Sequence, residues 1–349
     1  MRKIILSIAL ALSLSANAYD IEINGIYYNI DSSSQTAEVT SLPFENPYVG
    51  DIVIPETVVY EGVEYVVSSI DQLAFAYSVD LLSVTIGDNV KEIGNLAFSA
   101  CINLESISFG SKVEIIGESA FSGCTSLTSI LLPSSIKQIN DLAFNSCTKL
   151  TSVSLPDGLQ NIGKYAFSYC TLLKSISFPN SVSYIGDGAF MACESLSILI
   201  IPIGLTQIEE GAFGGCTNLK TVYLPNSITS ICKLGFYGLG LIYGGDFYCY
   251  ATEVPSLGDT AFYVPSYKHK GTLHVPAGSI DDYRNAEQWK DFGNIVAITD
   301  EEQYPTAIIH IKSDDYLQKN PTIYSLNGQQ LPKPQKGINI INGRKVVVK

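Results

Sequence analysis

The chain has 349 residues, of which 46% are hydrophobic and 16% are charged, with 28 glycines, 15 prolines and eight cysteines. This composition excludes a disordered tail, a collagen and a small disulfide-stapled scaffold, and the length is sufficient to bury a large core. The formal net charge is −13. Nucleic-acid binding depends on Lys and Arg neutralising phosphates, so an acidic chain without a basic stripe excludes nucleic acid as a partner.

The first 18 residues have the pattern of a secretory signal peptide. Arg2 and Lys3 precede an apolar stretch from Ile4 to Leu14, and small residues at 16–18 provide a cleavage site before Tyr19. This apolar stretch is too short for a membrane anchor, because crossing the hydrocarbon core takes about 20 residues. We expect residues 1–18 to be removed and the mature chain, which has no later transmembrane segment, to be exported.

Residues 19–68 have the composition of a β-rich segment. They are rich in Tyr, Val and Ile, with Gly25, Gly50 and Gly62 at expected turns, and they carry nine acids without a Lys or Arg. The end of a repeat array exposes apolar surface unless another segment covers it. We therefore expect residues 19–68 to form an N-terminal cap on the repeats that follow.

A 23-residue repeat organises the middle of the chain. Each period has Cys three residues, Leu six residues and Ile eighteen residues after a Phe, with few exceptions. The phenylalanines of this column are Phe75, Phe98, Phe121, Phe144, Phe167, Phe190, Phe213 and Phe236. Fixed apolar columns at a period of about 20 to 30 residues mean that each unit buries its apolar side against its neighbours. The sequence therefore predicts a solenoid.

Two local patterns recur within each unit. Between Leu150 and Pro156 apolar residues alternate with Ser and Thr, which predicts a strand that proline ends. Successive strands should stack in parallel into one curved sheet, about 4.8 Å apart. The segment from Asp141 to Cys147 begins with an acid, which favours a short helical turn on the opposite side.

The unit Leu-x-x-Ile-x-Leu-Pro-x-x-x-x-x-Ile-Gly-x-x-Ala-Phe-x-x-Cys resembles the 23-residue repeat of BspA-type leucine-rich repeat surface proteins, over about residues 69–245. The resemblance implies a leucine-rich repeat solenoid with a parallel sheet on one face and short helical turns opposite. It also implies a protein on the outer surface of, or secreted by, a Gram-negative bacterium, which attaches to matrix or plasma proteins. Residues 271–298 resemble the closing rung of this family, so the solenoid is expected to span 69–298.

The closing rung and the C-terminal region have their own signals. Ser279 and Asp282 form an expected capping box of a helix that ends near Trp289, whose side chain we expect inside the rung. Residues 299–349 predict a small β module, with strands at 306–311, 321–326 and 346–348 and Asn-Gly turns at 327–328 and 342–343. The ending resembles the sorting modules of secreted bacterial proteins, and a plain accessory module is the alternative.

The sequence offers no catalytic motif, cofactor-binding loop or metal-binding motif, so we expect no enzyme activity and no cofactor. His269 and His274 are close in sequence, but we expect two surface histidines rather than a metal pair, and His310 is remote. The column cysteines have apolar neighbours, which predicts unpaired thiols with a raised pKa. A disulfide between Cys232 and Cys249 remains an alternative.

The residues eight and ten positions after each Phe should face outward from the sheet. Most are Ser or Thr, but Ile198, Ile200 and Tyr223 form an expected apolar patch on adjacent rungs, with Leu131 apart from it. Such patches mark interaction sites, although cover by the C-terminal region is an alternative. We expect adhesion to a protein ligand. The alternatives are carbohydrate binding, with Tyr27, Tyr28 and Tyr48 as the candidate sugar-binding residues, and a purely structural role.

Overall fold

The computed structural model describes residues 19–41, 48–240, 244–262, 269–299 and 302–305, together with the backbone of four strands between 323 and 348. The expected signal peptide, the expected strand at 306–311 and the two Asn-Gly turns lie outside the described residues.

The N-terminal residues form short strands that lead directly into the repeats. These strands are β1 (Ile21–Ile23), β2 (Ile26–Asp31), β3 (Thr36–Thr40), β4 (Gly50–Ile54), β5 (Thr57–Tyr60) and β6 (Val63–Ile70). Strands β1 to β3 form an antiparallel meander, β3 lies parallel to β6, and β5 and β6 form a hairpin. This N-terminal segment therefore supplies a strand, β6, whose end can pair with the first repeat.

The repeats stack their strands in parallel, as the alternating pattern predicts. We call this ladder the first sheet, and each turn of the solenoid a coil. Its strands from the repeats onward are β7 (Leu81–Ile86), β9 (Ser106–Ser108), β11 (Ser129–Leu131), β13 (Ser152–Ser154), β16 (Ile198–Ile200), β18 (Thr221–Leu224), β20 (Asp246–Cys249), β22 (His269–Val275) and β23 (Phe292–Ala297). Strand β4 pairs in parallel with β7, so the first sheet begins within residues 19–68. Ser175, on the coil between those of β13 and β16, pairs with Ile198 of β16 through an isolated bridge.

A second parallel ladder is built from the column of isoleucines eighteen residues after each Phe. Its two-residue strands are β8 (Glu92–Ile93), β10 (Ile115–Ile116), β12 (Gln138–Ile139), β14 (Asn161–Ile162), β15 (Tyr184–Ile185), β17 (Gln207–Ile208), β19 (Ser230–Ile231) and β21 (Ser256–Leu257). The end of β6 pairs with β8, which joins this second sheet to the N-terminal strands. Most coils therefore contribute a strand to two ladders rather than to one, and the coil with Ser175 joins the first by an isolated bridge.

The third side of each coil is a turn rather than the helical turn expected from the sequence. Alternate N–H groups, those of Leu142, Phe144 and Ser146, donate to carbonyls of the next coil at 2.8 Å. The amides between them donate back to the carbonyl three residues earlier. Leu142 and Ser146 adopt positive φ angles of 57° and 59°, which a helix does not accommodate. The prediction of helical turns was wrong because half of these N–H groups bond between coils.

The core is a continuous stack along the solenoid axis. The column phenylalanines lie face to face, with ring centroids 4.6 Å apart between Phe75 and Phe98 and 5.7 Å apart between Phe213 and Phe236. A further buried column, which the sequence did not predict, lies fifteen residues after each Phe. Its members are Val90, Val113, Ile136, Leu159, Val182, Leu205 and Ile228. These residues are buried at the corner between the first and the second sheet.

The closing rung covers the last coil. Helix α1 spans Ile280–Asn285, with 3-10 turns at Ala277–Ser279 and Trp289–Asp291. The expected capping box does not form, because the Ser279 hydroxyl donates to the Thr252 carbonyl at 2.6 Å instead. Trp289 is buried as expected, and its indole N–H donates to the Pro255 carbonyl at 3.1 Å.

The C-terminal region contains a four-stranded antiparallel sheet. Its strands are β24 (Ile323–Ser325), β25 (Gln330–Leu331), β26 (Gly337–Ile341) and β27 (Arg344–Val348), in the order β25-β24-β26-β27. Ile341 lies opposite Arg344 in the pairing of β26 with β27.

The phenylalanine stack yields a direct test of the core. Phe144 is fully buried between Phe121 and Phe167, at centroid distances of 5.3 and 5.4 Å. We expect Phe144→Ala to lower the free energy of unfolding by about 3 to 5 kcal/mol, because it leaves a cavity and breaks the stack. Leu131→Ala, at an exposed side chain of the neighbouring coil, should change it by less than about 0.5 kcal/mol. Urea unfolding measures both, and equal losses in the two variants would contradict a stack that carries the core.

Candidate binding surface on the first sheet

The parallel register aligns outward side chains in rows across neighbouring coils. One row begins at Ile198 and runs through Thr221 and Asp246, and a second begins at Ile200 and runs through Tyr223 and Tyr248. The second row continues to His274 and Val296 on β22 and β23. The three patch residues on adjacent rungs therefore lie at the start of a longer surface.

Aromatic rings stack along the second row. The rings of Tyr223 and Tyr248 have centroids 4.7 Å apart and planes 9° apart, and the Tyr248 ring lies 4.1 Å from the His274 ring. In-register strands place equivalent side chains one strand spacing apart, so flat rings stack readily at this position. The stack gives this end of the first sheet a rigid, partly apolar surface.

His274 is buried, so the expectation of a surface histidine was wrong, and two carboxylates flank its ring. Its Nε2 lies 2.9 Å from Asp246 Oδ1, and its Nδ1 lies 3.3 Å from Glu302 Oε1. The first contact is an aligned hydrogen bond, whereas the second is close but not aligned as one. A protonated imidazole would form an ion pair with both acids. The site combines stacked rings with fixed acidic groups.

Residues 302–305, which we call the C-terminal strap, lie against the carboxyl end of this surface. The Tyr250 hydroxyl donates to the Glu302 carbonyl at 2.6 Å, and the Tyr304 ring meets the Tyr250 ring edge to face at 5.2 Å. Burial raises the pKa of the Tyr250 and Tyr304 hydroxyls. Both phenols therefore stay protonated donors at neutral pH.

The strap binds at a backbone carbonyl of the first sheet that receives no hydrogen bond from the next strand. In a parallel ladder the Ile201 carbonyl would accept from residue 225 of the next coil, but Pro225 has no N–H group. The Tyr304 hydroxyl donates to this carbonyl instead. A buried carbonyl without a partner is costly, so the proline that ends the strand creates the place where the strap binds.

The structure brings three of the four predicted surface residues together. Ile198, Ile200 and Tyr223 lie half-buried on two paired strands, and Ile200 directly faces Tyr223. Leu131 lies three coils away, with 53% of its surface exposed. Cover by the C-terminal region stays a prediction. The strap contacts the Ile201 carbonyl, next to the carboxyl end of the patch.

Sequence reasoning missed Tyr248, Tyr250, His274, Glu302 and Tyr304. The 23-residue spacing ends after Phe236, and the ladder partners of Tyr223 follow at intervals of 25 and then 26 residues. Columns could not be extended through such intervals. The available signal was the recurrence of aromatic residues at 223, 248 and 250.

The cysteines of the column show no features of a nucleophile. The Cys147 thiol is buried and donates to the Phe121 carbonyl at 3.3 Å, and burial raises its pKa well above the usual range. Cys232 and Cys249 are separate thiols, and Cys249 lies 3.2 Å from the Tyr283 hydroxyl. Among the residues that the structure describes, no three His, Cys, Asp or Glu side chains group to hold a metal ion.

The tyrosines named for sugar binding do not form an open platform. Tyr28 and Tyr48 are both buried, and the Tyr48 hydroxyl donates to the Thr40 carbonyl at 2.5 Å. Only Tyr27 of the three is half-buried. Tyr48 instead packs on Phe75, with ring centroids 4.2 Å apart, and so covers the first ring of the core stack. This part of the carbohydrate hypothesis was wrong.

The strap yields a pH-dependent prediction. The Thr299 N–H donates to the Glu302 carboxylate at 2.8 Å, and this bond is the main cause that lowers the pKa of Glu302. A lowered pKa means that the stabilisation is complete above the usual Glu range and is lost as pH falls through the lowered value. We expect Glu302→Gln to reduce the hydrogen-exchange protection of the Thr299 amide about tenfold at pH 7.

The same measurement on exposed Glu253→Gln is the control and should leave that protection unchanged. Towards pH 3 the difference between the protein and Glu302→Gln should shrink. An undiminished difference at low pH, or none at pH 7, would contradict the role assigned to the Glu302 carboxylate.

Comparisons with known proteins agree with this architecture. The family described as "BspA type Leucine rich repeat region" matches in six copies, over residues 38–170, 68–197 and 137–267. Among solved structures, a leucine-rich repeat protein from Bacteroides ovatus is 24% identical with a TM-score of 0.50, covering 80% of this chain and 77% of that one. A leucine-rich repeat protein of T. pallidum is 25% identical with a TM-score of 0.42, covering 68% and 86%.

A leucine-rich cell surface protein from Faecalibacterium prausnitzii is 20% identical with a TM-score of 0.34, covering 83% of this chain and 97% of that one. A search of curated proteins gives no significant match. In the described part of the chain, no helix has the length and apolar character needed to span a bilayer. The repeat match covers most of the chain and agrees with the stacked coils, so the chain belongs to the BspA-type leucine-rich repeat family.

Proposed function

We propose that this protein is an exported or cell-surface interaction protein that binds a protein partner through the exposed face of its first sheet. Leucine-rich repeat solenoids are typically interaction scaffolds, and one similar structure is described as a cell surface protein. The observation that carries the proposal is the patch of Ile198, Ile200 and Tyr223, which continues as the stack of Tyr248 on His274.

The shape of this surface supports a protein partner more than a glycan. Sugars pack against the open face of an aromatic ring, but Tyr223 and Tyr248 stack on each other, and Tyr248 also stacks on His274. The stacked faces of these rings are therefore covered by one another and are not accessible to a sugar. What the surface presents is aliphatic side chains, ring edges and the Asp246 carboxylate, a mixture of apolar centre and polar rim that is typical of protein interfaces.

The localisation rests on the two ends of the chain. Residues 1–18 have the composition of a cleaved signal peptide, and the proposed mature protein begins at Tyr19. We assign residues 299–349 a role in sorting or retention at the surface of a Gram-negative bacterium. The N-terminal cap at 19–68 and the solenoid at 69–298 complete the proposed organisation.

The test is binding of the mature chain, residues 19–349, to an array of matrix proteins, mucins and glycans. We expect a protein signal that falls at least about tenfold when Ile198, Ile200 and Tyr223 are each changed to Asp, because charge replaces the apolar centre of the interface. The matched control changes Ser106, Ser129 and Ser152 to Asp, which places the same charges on earlier rungs of the same face.

Thermal unfolding of both variants shows whether the fold is retained, and Ile198→Ser with Ile200→Ser is the milder variant if the triple Asp variant unfolds. A protein signal that survives in a folded patch variant would contradict the assignment of the surface. A signal from glycans alone would contradict the assignment of the partner.

A further inference from the structure

A second apolar cluster lies at the corner between the turn side and the first sheet, in the first two coils. We call it the corner patch. It consists of Tyr77, Val79, Leu82 and Ile102, whose exposed fractions are 66%, 37%, 44% and 43%. Large apolar side chains that are exposed singly are ordinary, but four in one place are not.

The inter-coil hydrogen bonds place these side chains side by side. Val79 and Ile102 occupy equivalent positions of adjacent coils, and the Asn103 side chain donates to the Val79 carbonyl at 2.9 Å. The Tyr77 N–H donates to the Ser99 carbonyl of the next coil at 2.8 Å, and the Glu105 N–H donates to the Leu82 carbonyl at 2.9 Å. These bonds therefore place Val79 beside Ile102 of the next coil, with Tyr77 and Leu82 two and three residues from Val79 in the chain.

Acidic residues surround the corner patch. Asp80 and Glu105 are exposed directly beside it, Glu105 at the position equivalent to Leu82. Residues 19–110 as a whole carry fourteen acids and a single base, Lys91, and their net charge of −13 equals that of the whole chain. The corner patch thus lies within a strongly negative field that would repel acidic partners and anionic membranes.

A later coil presents a similar apolar pair in different charge surroundings. Tyr169 is equivalent to Tyr77, four coils along, and with Leu172 it forms an exposed pair at the same corner. The charged residues beside this pair are Lys149, Lys174 and, on the next coil, Glu194, all of them exposed. Exposed aromatic and aliphatic groups therefore recur at this corner, but only in the first coils are they surrounded by acids.

We propose that the corner patch binds a basic amphipathic segment of a protein partner. The apolar side chains would receive the apolar face of the segment, and Asp80, Glu105 and the acidic cap would pair with its Lys or Arg residues. This site lies at the edge of the first sheet and at least four coils along the solenoid from the patch of Ile198 and Tyr223. It does not depend on the function proposed above.

The test uses the mature chain and two labelled helical peptides of about 18 residues, one of Leu and Lys and one of Leu and Glu with the same apolar pattern. Fluorescence anisotropy should show binding of the Leu–Lys peptide only, weakening steeply between about 50 and about 300 mM salt as the charges are screened. Changing Tyr77, Val79, Leu82 and Ile102 together to Ser should weaken binding at least about tenfold.

Two further variants separate the contribution of the acidic side chains to binding from that of the apolar side chains. Asp80→Asn with Glu105→Gln leaves the apolar side chains in place and should weaken binding and reduce its dependence on salt. Tyr169→Ser with Leu172→Ser removes an exposed pair that has two lysines and one acid beside it, and it should leave the affinity unchanged.

Equal affinity of the Ser variant and the unchanged protein would overturn the proposal, as would a matching loss in the Tyr169 and Leu172 variant. Binding to phosphatidylglycerol vesicles that the Ser variant loses would point to a membrane and would also overturn it. Variants of Ile198, Ile200 and Tyr223 should bind the peptide normally, so failure at one surface is distinguishable from failure at the other.

Discussion

The stacking of equivalent residues between neighbouring coils is the interaction on which the rest of the structure depends. The ring of Phe144 lies between the rings of Phe121 and Phe167 from the two adjacent coils, at 5.3 and 5.4 Å. The thiol of Cys147 and the amides of the turn side also bond to other coils. No single coil buries its own apolar side, so each coil acquires its structure from the next.

Such a stack must end, and the chain ends it with aromatic residues at both sides. Tyr48 packs on the first phenylalanine of the column, while Trp289 and Phe292 pack on Phe262 at the other end. Side chains also replace missing ladder donors. The Gln288 amide donates to the Gly258 carbonyl at 2.9 Å, as the Tyr304 hydroxyl does to the Ile201 carbonyl. The strap that borders the candidate binding surface thus follows from the same requirement as the caps.

The sequence predicted the features that recur at the fixed 23-residue spacing. It predicted few of the features that have no regular spacing. The columns of Phe144, Cys147 and Ile162 are buried where the period places them, and the parallel pairing of the strands follows. The turn side was mispredicted, since the positive φ angles of Leu142 and Ser146 have no residue signature. The site extends to His274 and Tyr304 through irregular spacing and through a contact between residues 103 positions apart, which no local pattern reveals.

Three sets of hydrogen bonds join the coils, those of the first sheet, the second sheet and the turn side, where the sequence predicted one. Hydrogen exchange at the turn side tests this central claim. The amides of Leu142, Phe144 and Ser146 each donate to the next coil at 2.8 Å. The account predicts that they exchange as slowly as the Ile162 amide in the second sheet, because both open only when coils separate. Exchange of these three amides at the rate of an exposed loop, with Ile162 still protected, would contradict it.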